Sequence, residues 1–196
     1  MRAPNPRRVR IFLAEKGLTV PMQELDLSAG ETLTPAFLAK NPYAAVPVLE
    51  LDDGTCLAES IAICRYFEGV QPEPPLMGRD ARDAALVEMW NLRMELYLMR
   101  AVEECFRHTH EYYRTRVQQI PAYGELCRSD ILKEYAGLDT RLAATPYVAG
   151  DHFTIADITA LCAIDFARVV KVRIAPELRH LQRWHATVSA RPSAAA

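Results

Sequence analysis

Val9, Phe12 and Leu13 recur at helical spacing between Arg7 and Lys16, with Pro6 suited to a first helical position and Gly17 to a stop. The first predicted element is therefore a helix over 7–16. "LTVPMQELDL" then reads as a strand, and "TPAFLAKN" as a short helix behind Pro35. "VPVLEL" and "TCLA" flank Asp52-Asp53-Gly54, a strong hairpin signal, and Ser60 is placed to cap a further helix through Phe67. Helix, strand, helix, strand, strand, helix is a βαβ-ββα order without its first strand.

"GVQPEPPLMGRD" is rich in proline and glycine and reads as a linker. From Ala81 onward only helical patterns occur: a long one through His110, one carrying Leu132, Tyr135, Leu138 and Leu142, and two more. The pattern predicts an α/β domain over residues 1–70, a linker over 71–80 and an all-α bundle over 81–196.

Composition narrows the functional classes. Lys plus Arg number 23 and Asp plus Glu 25, a net charge of −2, so no global field draws the chain to nucleic acid or to an anionic membrane. No apolar run approaches the roughly 18 residues of a membrane span, and the Arg-rich start lacks the apolar core of a signal peptide, so a cytoplasmic protein is expected. Five cysteines without a C-x-x-C argue against a disulfide framework and for small, buried, reduced thiols.

"AAVPVLELDDGTCLAESIAI" is the most informative segment. A proline cannot donate to a ladder, so Val46-Pro47 belongs at the first residues of a strand, with a cis bond that turns the Val46 backbone outward. Val46 N–H and C=O would then pair with an extended ligand as an added strand, which points to a small peptide. Glu59-Ser60 opens the following helix, where free amides, the positive dipole end and the Ser60 hydroxyl suit a carboxylate, and Glu59 an ammonium. Taken alone, Ser60 reads equally well as an ordinary helix cap.

With these residues in place the chain resembles the soluble glutathione transferases, "VPVLELDDGTCLAESIAI" matching the glutathione-binding segment of that family. The resemblance implies a thioredoxin-like N-terminal domain and an all-helical C-terminal domain in a cytoplasmic homodimer. It also implies detoxification chemistry, in which reduced glutathione, the co-substrate, is added to small apolar electrophiles. It carries the backbone-pairing and cis-proline roles onto Val46 and Pro47, and the γ-glutamyl contacts onto Glu59 and Ser60. "PYVAGDHFTIADITAL" matches the second family signature, in which Thr154 and Asp157 form a capping box that serves folding. The wording of "FLAKN", "VPVLELDDGT" and "YVAGD" is most similar to a bacterial and fungal branch lacking the usual catalytic Tyr, Ser or Cys.

Catalysis requires a glutathione thiolate, since the thiolate is the nucleophile and a free thiol titrates near a pKa of about 8.5. No Ser, Thr, Tyr or Cys occurs from Met1 to Lys16. Asn5 is the one side-chain amide there, able to cap the first helix or to donate to sulfur. Arg7 and Arg8 read as solvated charges, with a role beside the thiolate as the alternative. On the long helix, which in this family lines the substrate pocket, His108 is a candidate to position a water or polarise the sulfur. No metal is expected, because Cys105, His108 and His110 do not share one helical face. The loop before the second helix lacks the His or Lys that often holds the glycine carboxylate in this family; Lys40 or an arginine are the candidate substitutes, and the contact stays unassigned.

An interior first strand of the thioredoxin-like sheet is expected ahead of Ala3, pointing to a natural start further upstream or to a sheet completed in another way. Two other readings stay open. One is a glutathione-binding or ligand-carrier module without catalysis, the other a glutathione-dependent disulfide or peroxide reductase.

Overall fold

The computed structural model describes residues 3–196, and the strand expected ahead of Ala3 lies outside them. The chain divides into two compact units, one ending at Pro74 and one running from Pro75 to Ala195. The first is thioredoxin-like with a short two-stranded sheet, and the second is helical.

Helix α1 spans Pro4–Glu15, so Pro4 rather than Pro6 takes the first helical position, and Ala3 is the cap residue with no side-chain hydrogen bond. Asn5 therefore lies inside the first turn and does not cap the helix. Ile11, Phe12 and Leu13 are buried, as are Ile63, Cys64 and Phe67 of α3 (Ser60–Val70), which packs on α1. Lys16, just past the end of α1, has a fully buried side chain. Its ammonium is held by the Glu68 carboxylate at 2.6 Å and by the carbonyls of Pro72 and Pro74 at 3.0 and 2.5 Å. All three of its protons are thus used.

The strand predicted over "LTVPMQELDL" does not form; residues 18–26 are irregular. A strand is defined by a partner, and this stretch has none among the described residues, while Pro21 removes one ladder donor. The predicted hairpin is present. Strands β1 (Leu49–Glu50) and β2 (Cys56–Leu57) pair antiparallel, Leu49 opposite Leu57, and Gly54 occupies the turn at φ 84°. The short helix α2 is Pro35–Lys40, capped by the Thr34 hydroxyl on the Phe37 amide.

In the helical unit, the predicted long helix is α4 (Ala81–Arg93), a π-helical turn over Met94–Met99, and α5 (Arg100–Thr109). It stops one residue short of His110, whose backbone is extended. Helix α6 (Pro121–Ala144) buries Ile131, Tyr135, Leu138 and Leu142, while Leu132 is exposed. Helix α7 (Ile155–Ala167) is buried along nearly its whole length, and α8 (Arg179–Ser189) adds Leu181, Trp184 and Val188 to the core.

The expected capping box at α7 is present, with more partners than its two residues supply. Asp157 accepts from the Thr154 amide and hydroxyl, from the Val148 amide and from Trp184 Nε1. Despite these four donors, complete burial pushes Asp157 up to about 6.

Candidate functional site

The starts of α1 and α3 meet through one side chain that the sequence reading left in solvent. Arg8 is only 1 % exposed. Its Nη1 donates to Asn5 Oδ1 at 3.2 Å and to Ser60 Oγ at 2.6 Å, joining residues 52 positions apart. A signal for this was present: Arg8 is spaced i, i+3 and i, i+4 from the buried Ile11 and Phe12, on the core face of the helix.

Ser60 is buried and is the first helical residue of α3, so it is not the cap. That place belongs to Glu59, which has φ 64° and makes no side-chain cap bond. A left-handed backbone at a non-glycine residue costs on the order of 1 to 3 kcal/mol and commonly marks a functional position. The Glu59 carbonyl accepts from the Ile63 amide, closing the first turn, while the Glu59 side chain is exposed. The amides of Ser60, Ile61 and Ala62 have no partner among the described residues. Orphan amides, a buried guanidinium and the positive dipole end together favour an anion at this corner. Helix α1 adds little backbone capacity of its own, because Pro4 and Pro6 have no N–H.

The Val46–Pro47 peptide bond is cis. Among the described residues, neither the Val46 N–H nor its C=O takes part in a backbone hydrogen bond. The preceding loop is organised by Asn41, which sequence reasoning passed over. Buried, it donates from Nδ2 to the Ala45 carbonyl at 2.8 Å and accepts the Tyr43 amide on Oδ1 at 3.1 Å. Ala44, at φ 54°, donates its amide to the Asn41 carbonyl. Lys40 is paired with Glu50, which raises its pKa.

His108 belongs to the other unit, and both its ring nitrogens are engaged there. Nδ1 accepts the Ile120 amide at 3.0 Å, which leaves the proton on Nε2, 3.4 Å from Glu104. Its ring meets Tyr123 edge to face. The five cysteines are unbridged, and burial pushes the Cys105 and Cys127 thiols up, away from thiolate chemistry. No group of three His, Cys, Asp or Glu side chains able to hold a metal occurs among the described residues. None of the helices formed by those residues is long and apolar enough to cross a membrane.

Two family models match this chain: the glutathione S-transferase N-terminal domain over residues 3–70 and the C-terminal domain over 89–192. The chain belongs to the glutathione S-transferase family. Among its relatives in that family, glutathione S-transferase 2 of Saccharomyces cerevisiae is 39 % identical over 97 % of this chain and 83 % of its own length. The crystal structure of a glutathione S-transferase domain-containing protein from Marinobacter aquaeolei superposes with a TM-score of 0.92 at 45 % identity, covering 97 % of this chain and 95 % of that one. A different kind of relative is elongation factor 1-gamma 2 of Oryza sativa, 31 % identical over 82 % of this chain but only 38 % of its own length. The glutathione S-transferase domains thus recur as part of a longer protein.

Proposed function

We propose that this glutathione S-transferase is a catalytic one, which conjugates reduced glutathione to small apolar electrophiles. The observation that carries the reading is the meeting of Asn5, Arg8 and Ser60 at the starts of α1 and α3, within the stretch that matches the family's N-terminal domain. The γ-glutamyl carboxylate is received by Ser60 and the orphan amides of α3, and its ammonium by Glu59. The cysteinyl backbone pairs with Val46 ahead of Pro47. Asn5 and the positive start of α1 stabilise the thiolate without a hydroxyl donor. The sulfur lone pair then forms the S–C bond as the electrophile's leaving group departs with its electrons, and the thiol proton passes to solvent.

His108 is given no step in this scheme, since Nδ1 is committed to the Ile120 amide and Nε2 faces Glu104. The working form is a cytoplasmic homodimer. The experiment is ultraviolet titration of bound glutathione, whose thiolate absorbs where the thiol does not. A bound thiol pKa below the free value supports catalysis, and an unshifted one removes it.

A second reading, a glutathione-binding module without turnover, is favoured by the elongation factor relatives and by the absence of a hydroxyl or thiol side chain from Met1 to Lys16. Glutathione binding with an unshifted thiol would establish it. Turnover of a disulfide or peroxide without activity on aryl halides would instead establish the reductase.

A further inference from the structure

Ser60 presents a hydroxyl whose two functions are separated by its neighbour. An arginine guanidinium has only donors, so at 2.6 Å Ser60 Oγ must act as the acceptor and its own proton must point away from Arg8. No described residue accepts that proton, although Ser60 is buried. The same Nη1 fixes the Asn5 carboxamide, because only the oxygen of that group can face a guanidinium. A buried hydroxyl that accepts from a cation becomes a stronger and more directed donor, since hydrogen bonds in a chain polarise one another.

We propose that Arg8 is a positioning residue that holds Ser60 as an obligate proton donor toward the γ-glutamyl carboxylate of glutathione. The inference rests on the glutathione reading above. It adds that recognition of the carboxylate depends on a side chain behind the ligand-facing layer. Arg8 acts through Ser60 and touches no reacting atom. Lysine at this position keeps the charge but not the planar guanidinium, whose rigid frame aims the two protons of Nη1 at Asn5 and Ser60.

The experiment is a double-mutant cycle of Arg8→Lys and Ser60→Ala. It is read by isothermal titration with glutathione and with γ-aminobutyryl-cysteinyl-glycine, the analogue lacking only the γ-glutamyl carboxylate. Ser60→Ala is expected to weaken glutathione by about 10- to 100-fold, the range for a hydrogen bond to a charged group, and to leave the analogue unchanged. Arg8→Lys should reproduce most of that loss for glutathione, spare the analogue, and add less than about twofold once Ser60 is alanine. A purely structural role would weaken both ligands together, so equal losses overturn the proposal, as do losses that simply add.

Should Arg8→Lys fail to fold, Ser60→Ala carries the test. It must discriminate between the two ligands and lower Tm by about 2 °C or more, because a buried Arg8 donor loses its acceptor. An unchanged Tm or equal loss of both ligands overturns the proposal. If the wild-type protein binds neither ligand, the glutathione reading fails first and this inference with it. If it binds glutathione and the cycle shows no coupling, the inference alone fails.

Discussion

At the start of α7, Thr154, Asp157, Val148 and Trp184 form a closed set in which a buried carboxylate meets four donors. At the start of α3, the cap residue Glu59 adopts a left-handed backbone and makes no side-chain cap bond, while Ser60 accepts from Arg8 and its proton has no acceptor among the described residues. Both are helix N-termini with the same orphan amides and the same dipole. The difference is in who satisfies them. The α7 start is answered from within the fold and serves stability, whereas the amides of Ser60, Ile61 and Ala62 at the α3 start have no partner among the described residues.

Opening the closed set gives the largest effect. Asp157→Ala strips the acceptor from the Val148 and Thr154 amides and from Trp184 Nε1, and should lower stability by about 3 to 5 kcal/mol in denaturant melts. Glutathione affinity per folded molecule should stay as it was. A drop in affinity among folded molecules would mean that the two helix starts are not independent.

The same residue sets a pH signature. Asp157 titrates at about 6 in the fold, against an unfolded value near 3.9. Between these values the native state holds a proton that the unfolded state has lost, so the contribution is complete below the unfolded pKa and fades as pH rises through 6. The wild-type protein should therefore lose stability relative to Asp157→Asn across this window, by at most about 1.4 kcal/mol per pH unit. Parallel melting profiles of the two proteins would remove the burial argument.

On the open side, Asn41→Ala should cost about 1 to 3 kcal/mol by releasing two hydrogen bonds of the loop ahead of Val46. Glutathione binding should weaken with it, as Val46 is no longer held in place. Intact affinity in a destabilised variant would separate the loop from the ligand. Glu59→Gly should have the smallest effect, a stability gain of about 1 kcal/mol from relief of the left-handed backbone. The gain should come with weaker glutathione binding through loss of the proposed ammonium contact, so a variant gaining both stability and affinity would show that Glu59 has no ligand to serve.

The contrast between the two helix starts also separates what is readable from sequence. The α7 cap is local, a Thr three residues before an Asp ahead of an apolar run, and it stands as expected. The hairpin is equally local, because Asp52-Asp53-Gly54 carries its own turn chemistry. Arg8 eluded the reading because its partner is 52 residues away and because arginines on a first helical turn are usually solvated. Asn41 eluded it for a related reason: nothing in the sequence distinguishes a buried asparagine that ties a loop from an exposed one at a turn. The stretch 18–26 erred in the other direction. Its composition suits a strand, but strand formation depends on a neighbour that no local pattern specifies.

Two cations of helix α1 are fixed, Arg8 in its second turn against Ser60 and Lys16 just past its end against Glu68, Pro72 and Pro74. Lys16 lies eight positions after Arg8, about 12 Å along the axis. Such a helix behaves as a short lever: a tilt of about 5° set at the Lys16 end displaces the Arg8 end by about 1 Å, enough to stretch a 2.6 Å hydrogen bond beyond its useful range. The anchorage at Pro72 and Pro74 thereby becomes a tolerance specification for the corner where glutathione is proposed to bind, set in a segment with no catalytic group of its own.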